Sequence, residues 1–248
     1  MLDLGQGALL VGVADSPETL ARAAERVPDR GAGDAGPRPP FDLVEARLDL
    51  YPGQSIDGCE AACQRLEASG TPVLVTLRTA AQGGRWAGGD ADRLPRFRAA
   101  LAVASWADVE DDAGIVGAVA EMVQARAEGQ IVVSHHDFSQ TPSPDALLDL
   151  VDACHRAAPS AVAKLATRVR SEDDRRALLA LVERRPDRTA VIGMSADDEG
   201  LRVALAAAGS LLAYGYLGAP TAPGQWTCEA LHLRLLAASP RYAARRGS

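Results

Sequence analysis

The stretch Ala161-Val162-Ala163-Lys164-Leu165-Ala166-Thr167 reads as a short buried β-strand carrying one amine. Lys164 is the only lysine in the 248 residues; every other basic side chain among the 26 Lys and Arg is arginine. Arginine stays protonated in a protein, whereas a buried lysine can lose its proton. Retaining an ammonium in an apolar run, in a chain that otherwise uses arginine, points to a need for a free amine. In a dry site such an amine attacks carbonyls. The competing reading is a strand-end lysine whose head reaches water.

The same pattern repeats on both sides of this strand. Before it, 129–138 predicts a strand and Ser143-Pro144 opens a helix to about residue 157. After it, Ser171 opens a helix to residue 184 and 189–194 predicts the next strand. Further strands are predicted at 8–14, 41–50, 71–79, 106–112 and 210–217. Helices are expected from Asp15-Ser16-Pro17-Glu18 to near Val27, at 55–69, after the Gly-rich 81–89 to about residue 105, up to residue 127, at 200–208 and at 228–238. Strands and helices alternating in this way predict a parallel sheet, and eight of each favour one α/β domain, a (β/α)8 TIM barrel spanning residues 1–248. An open doubly wound sheet is the alternative. The Gly/Pro-rich 28–40 is expected to be a mobile loop, and 239–248 a polar C-terminal tail. No GxGxxG follows a strand and no GxxxxGK[ST] occurs, so nucleotide binding lacks its usual signal.

A net charge of −7 without a basic stripe argues against a nucleic-acid or anionic-membrane binder. No run of about 18 apolar residues predicts a membrane span, and residues 1–7 do not resemble a signal peptide. Cys59, Cys63, Cys154 and Cys228 form no CxxC pair. Cys59 and Cys63, four apart on an expected helix, could hold a metal; without clustered partners the four are expected to be buried or half-buried thiols, with no metal held, in a reducing cytoplasm. A homodimer is a plausible assembly.

Alternation along the strands puts Leu43, Glu45, Arg47 and Asp49 on one face, and Leu74, Thr76 and Arg78 on another. Asp108 with Glu110, then Val132 with Ser134, His136 and Phe138, and Val162 with Lys164 and Ala166 form the corresponding faces of the next strands. In each case the polar residues lie toward the C-terminal end, where barrel enzymes build their sites. Asp49, Asp108 and Glu110 are the best candidates for scaffold ion pairs. His136 and Lys164 lie near the ends of consecutive strands, about 4.8 Å apart if these are neighbours. Amine and base could then meet over one substrate carbon, the pairing Schiff-base chemistry needs. His135 falls on the opposite face, toward the helix layer. Nearby arginines (Arg47, Arg78) and burial would both favour the neutral amine.

These residues resemble the type I 3-dehydroquinate dehydratase family. The resemblance is carried by Glu45-Ala46-Arg47-Leu48-Asp49, Leu77-Arg78-Thr79 before Gly83-Gly84, Ser134-His135-His136-Asp137-Phe138 with Thr141-Pro142, and Ala163-Lys164-Leu165-Ala166. It continues through Arg202, Tyr214-Gly215 and Thr221-Ala222-Pro223-Gly224-Gln225 and covers nearly the whole chain. It implies a Schiff-base lyase of the shikimate pathway and aromatic amino acid biosynthesis. Syn elimination of water would convert 3-dehydroquinate to 3-dehydroshikimate, with no metal or external cofactor. Lys164 would form the imine and His136 would act as base and acid. Arg202, Gln225 and Thr221 would hold the substrate carboxylate, and Glu45, Arg47 and Arg78 would contact the ring hydroxyls. Tyr214, where the family commonly has phenylalanine, and Met194 would be walls, and 217–227 a lid with Gly218 and Gly224 as flexible points.

The chain departs from the family at Gln82, where glutamate is common, and at Leu201, where serine usually precedes the carboxylate-binding arginine. A carboxylate at position 82 could orient the histidine or hold a proton; an amide cannot accept one. A different cyclic keto acid in specialised metabolism is therefore a second expectation. A barrel aldolase and a non-catalytic binding homologue are weaker ones. The first lacks a Gly-rich phosphate cradle near the last strands, and the second is at odds with the retained lysine and histidine.

Overall fold

A computed structural model describes residues 7–28, 38–126, 128–185, 188–194, 200–221 and 224–247. Most of the expected 28–40 loop, and Ala222-Pro223 of the expected lid, lie outside the described residues. Eight strands run in parallel: β1 (Leu9–Ala14), β2 (Leu43–Arg47), β3 (Val73–Thr76), β4 (Trp106–Glu110), β5 (Gln130–Asp137), β6 (Val162–Arg168), β7 (Thr189–Met194) and β8 (Leu212–Tyr216). They pair in the order β7-β6-β5-β4-β3-β2-β1-β8. At the remaining seam the Leu211 N–H donates to the Thr189 carbonyl at 2.9 Å, so the sheet forms a nearly closed (β/α)8 TIM barrel.

Helices α1 (Pro17–Glu25), α2 (Glu60–Ser69), α3 (Asp90–Ala100), α4 (Val116–Gln124), α5 (Pro144–Ala157), α6 (Glu172–Arg184), α7 (Gly200–Ala208) and α8 (Cys228–Ala238) alternate with the strands. Several start where local chemistry dictates. Ser16 caps α1 with Pro17 in its first turn, Ser143 caps α5 before Pro144, and Ser171 with Asp174 forms a capping box on α6.

The expected tail is a ninth helix, α9 (Pro240–Gly247), because it has an anchor and a charge partner at the N-terminal end of the barrel. Tyr242 is fully buried and its hydroxyl lies 2.7 Å from His232 Nδ1. Arg245 bridges both oxygens of Asp42 at 2.6 and 2.8 Å, and Arg246 reaches the same carboxylate at 2.9 Å. The predicted strand 41–50 also ends early: Leu48–Leu50 is a 3-10 turn, with Asp49 drawn back onto Arg47 through two 2.9 Å bonds.

Two layers fill the barrel. Leu9, Val11, Leu43, Leu74, Trp106, Val132 and Val162 form an apolar lower layer. Above it the strands change character within one or two residues, to Glu45, Thr76, Asp108, Ser134 and Lys164, all buried. All four cysteines are buried free thiols. Among the described residues no helix is long and apolar enough to cross a membrane, and no cluster of metal-ligating side chains occurs.

Candidate active site

A pocket opens at the C-terminal ends of the strands. Its lining includes every site residue expected from the sequence: Glu45, Arg47, Arg78, Gln82, His136, Lys164, Met194, Arg202, Tyr214, Thr221 and Gln225. The register accounts for its centre. β5 and β6 are direct neighbours, with Ser134 opposite Lys164 and His136 opposite Ala166, so the amine and the imidazole emerge one pleat apart.

Lys164 is 6% exposed and does not snorkel. Its Nζ donates to Asp108 Oδ2 at 2.9 Å and sits 4.4 Å from the Tyr214 ring centroid. The sequence suggested cationic surroundings; the structure adds an anion in direct contact. Asp108 therefore does more than the scaffold role first expected of it. It also accepts from Arg78 Nη2 at 2.7 Å and Ser134 Oγ at 2.6 Å. Burial works to raise the Asp108 pKa, but Arg78 and then Lys164 outweigh it and hold the carboxyl well below the usual range.

Arg78 is committed to this network, donating to Ser134 at 2.7 Å and approaching Glu110 at 3.1 Å. Glu110 in turn meets the buried Arg93 of α3 at 2.5 Å, and Arg93 meets Asp90 at 2.9 Å. Six charges thus alternate in sign from α3 to the amine: Asp90, Arg93, Glu110, Arg78, Asp108, Lys164. Glu110 and Asp49 match the scaffold reading. Glu110 holds Arg93 and the Thr79 N–H, and Asp49 holds Arg47 and the Arg85 N–H.

His136 is held from one side by Gln82, whose Oε1 is 3.0 Å from Nδ1 and 3.1 Å from the His136 backbone nitrogen. Burial pushes its pKa well below the ordinary histidine value, and the cations Arg78 and Lys164 push it further. The ring is therefore neutral at neutral pH, as a base must be. His135 faces the other way, onto Asp111 at 3.0 Å, which raises its pKa.

Gln82 reaches the histidine because Thr79 is followed by a 3-10 turn, Ala80–Gln82, closed by the left-handed Gly83 (φ 82°). The left-handed backbone calls for glycine at 83, and a Cβ on Gly84 would lie 2.1 Å from the Arg78 carbonyl oxygen, so that second glycine is a packing requirement.

On the far wall, Arg202 Nε donates to the Gly224 carbonyl at 3.1 Å, and Gln225 Oε1 accepts from Thr221 N–H at 2.9 Å and its Oγ1 at 3.1 Å. The neighbouring Leu201 is buried in the core rather than at the pocket. Sequence reasoning missed three contributors: Asp108 as partner of the amine, Phe138 as a wall stacked 6.3 Å from His136, and Asp112, which accepts from Gln82 Nε2 at 3.1 Å. The acidic pair Asp111-Asp112 at the end of a strand was the available signal for the last.

Comparison with known proteins bears on the family. The family model described as "Type I 3-dehydroquinase" matches residues 37–238. A 3-dehydroquinate dehydratase of Methanothrix thermoacetophila is 30% identical over 217 residues, 88% of each chain. That of Methanosarcina acetivorans is 30% identical over 235 residues, 90% of this chain and 91% of the relative. The crystal structure of the Aquifex aeolicus 3-dehydroquinate dehydratase superposes with a TM-score of 0.74 at 21% identity, covering 92% of this chain and 98% of that one; that likeness speaks to the fold. The extent of the family match and of these relatives is decisive: the chain belongs to the type I 3-dehydroquinase family.

Proposed function

We propose that the chain is a Schiff-base hydro-lyase that converts 3-dehydroquinate to 3-dehydroshikimate without a metal or external cofactor. The observation that carries this reading is the lone amine, Lys164, one strand from a neutral His136 in one pocket, in a chain of this family. Neutral His136 takes a proton from the Lys164 ammonium, the freed amine adds to the substrate ketone, and the imidazolium returns the proton to the carbinolamine hydroxyl, which leaves as water to give an iminium. Its positive nitrogen acidifies the neighbouring C–H by taking up the electron pair left behind. His136 removes that proton. The pair returns to form the ring double bond as the β-hydroxyl leaves, protonated by the same imidazole, as water. A second water hydrolyses the iminium and frees Lys164.

Asp108 offsets the charge of the amine before attack and of the iminium after it. Arg202 and Gln225 stand opposite as candidates for the carboxylate, with Arg47 and Glu45 for the hydroxyls. A soluble role in aromatic amino acid biosynthesis follows from this reaction.

The test is incubation with 3-dehydroquinate and borohydride. Reduction of the iminium should leave a substrate-derived mass on Lys164, and the unreduced assay should develop enone absorbance. Absence of both would remove the proposal. Trapping with a different cyclic keto acid and not with 3-dehydroquinate would keep the imine but change the substrate.

A further inference from the structure

Asp112, just beyond the end of β4, has no part in the reading above, yet it touches the group that holds the proposed base. Gln82 is buried, at 7% exposure, and its amide is gripped at both ends. Nε2 donates to Asp112 Oδ1 at 3.1 Å, while Oε1 faces the His136 backbone N–H at 3.1 Å and His136 Nδ1 at 3.0 Å. A backbone N–H can only donate, and an ionised carboxylate can only accept. The amide therefore has one satisfactory orientation. Turned over, its NH2 would meet a donor and its oxygen would meet an anion. With Oε1 toward the imidazole, the hydrogen on a neutral ring must sit on Nδ1, and Nε2 keeps its lone pair.

We propose that Asp112 is a positioning residue which, through the Gln82 amide, fixes His136 in the Nδ1–H form and so leaves Nε2 as the proton acceptor. This rests on His136 being the base. A negative charge thus lies one side chain beyond the glutamine, and the amide relays its direction without titrating.

A consequence separates this arrangement from a simple lost carboxylate. Gln82→Glu would set two carboxylates about 3 Å apart, in hydrogen-bonding range of one another. Repulsion across that contact would raise the pH at which the pair takes up its first proton. The charges that face His136 are otherwise Arg78, Lys164, Asp108 and Arg47, whereas Asp111 is turned toward His135. A new ionisation in Gln82→Glu therefore carries the coupling to Asp112, and Asp112→Asn, which leaves the introduced carboxyl at position 82 alone, should move it to lower pH.

The experiment is a nitrogen-15 correlation spectrum of the His136 ring in the full chain, read beside kcat and KM. The unmodified protein should show a protonated Nδ1 and a bare Nε2 at neutral pH. Asp112→Asn, whose oxygen still accepts from Nε2 of Gln82, should keep that tautomer and a kcat within about two-fold. Asp112→Ala should give mixed tautomers and lower kcat about 10-fold at unchanged KM, a part of what general-base catalysis supplies. Gln82→Glu should add an ionisation to the kcat profile that moves to lower pH in Gln82→Glu with Asp112→Asn.

A protonated Nε2 in the unmodified protein overturns the proposal. So does an Asp112→Ala variant with unaltered tautomer and kcat. Failure of borohydride trapping alongside the expected tautomer would instead remove the proposed reaction and leave the positioning of the ring intact.

Discussion

Both ends of the barrel bury ions, and they spend them differently. At the floor, Asp42 gathers Arg245, Arg246 and the Leu10 N–H, and Arg245 also reaches the Ala8 carbonyl. That cluster closes on itself and fastens α9 under the strands. At the mouth, the alternating ladder from Asp90 to Lys164 ends on an amine that lines a pocket. Between them lies the apolar layer around Trp106 and Leu74. The cations differ accordingly. The floor uses arginine, a permanent charge with a planar fork suited to one carboxylate. The mouth ends in the chain's one lysine, the cation able to shed a proton and make a bond.

Exchanging the two cation types should expose this division most strongly. Lys164→Arg keeps a cation beside Asp108 but removes the primary amine. We expect at least about a 10⁴-fold loss of kcat/KM on 3-dehydroquinate, the scale of losing a covalent step, with no borohydride adduct and a retained circular dichroism spectrum. Arg245→Lys should do the reverse, leaving kcat unchanged while costing about 1–2 kcal/mol in a denaturant titration as the forked contacts go. Turnover persisting in the first variant would break the contrast.

The acids should sort in the same way. Asp42→Asn leaves two arginines around a neutral group, and breaking a buried pair costs about 3–5 kcal/mol; kcat per folded molecule should hold. Asp108→Asn strands Lys164, while Arg78 keeps Glu110 and Ser134; it should cost comparable stability, but kcat should also fall about 100-fold because the anion beside the amine is lost. Equal catalytic effects from the two variants would argue that the ladder is scaffold alone.

The pH dependence adds a third, smaller separation. The folded-state pKa of His136 lies well below its unfolded value near 6.5. As pH falls through 6.5 the unfolded chain takes up a proton that the native ring refuses. Stability contributed by the neutral ring is thus present above that pH and is lost below it, by up to about 1.4 kcal/mol per pH unit. His136→Gln should flatten the unfolding free energy between pH 7 and 5. His135, whose pKa is raised by Asp111, acts with the opposite sign. Its contribution is full below its unfolded pKa and declines as pH rises through the folded value, so His135→Gln should steepen the same profile.

How much of this was legible follows from which forces are local. Strand alternation and Ser-Pro helix starts depend on residues a few positions apart, and β7, α7 and α8 match their predicted bounds. Lys164 and His136 were readable because each is rare or motif-bound and a neighbouring-strand register brings them together. Three features were not readable, because each is settled by a partner far along the chain. α9 reads as polar until Asp42, 203 residues away, supplies its counter-charge. Asp108 looks like scaffold until Lys164 lands on it from 56 residues away. Asp112 lies 30 residues from Gln82. Composition gives the sign of such groups but not their meetings.

The smallest test uses one atom at each end. Tyr214 is buried at the mouth and its hydroxyl has no hydrogen-bond partner among the described residues. Burial, then Glu45 and Asp108, push its pKa well above the ordinary tyrosine value, so the phenol stays neutral. What the site uses is the ring face beneath Lys164. Tyr214→Phe keeps that face and removes an unpaired polar atom, so stability should rise by about 1 kcal/mol with kcat within about two-fold. At the floor, the Tyr242 hydroxyl is bonded to His232 at 2.7 Å. Tyr242→Phe strands that imidazole and should lower stability by about 1 kcal/mol. One deletion with opposite signs, read from paired melting curves, would show that the two ends differ in whether their polar atoms are already satisfied. Equal signs would mean that the Tyr214 hydroxyl has a partner after all, and that the mouth is as closed as the floor.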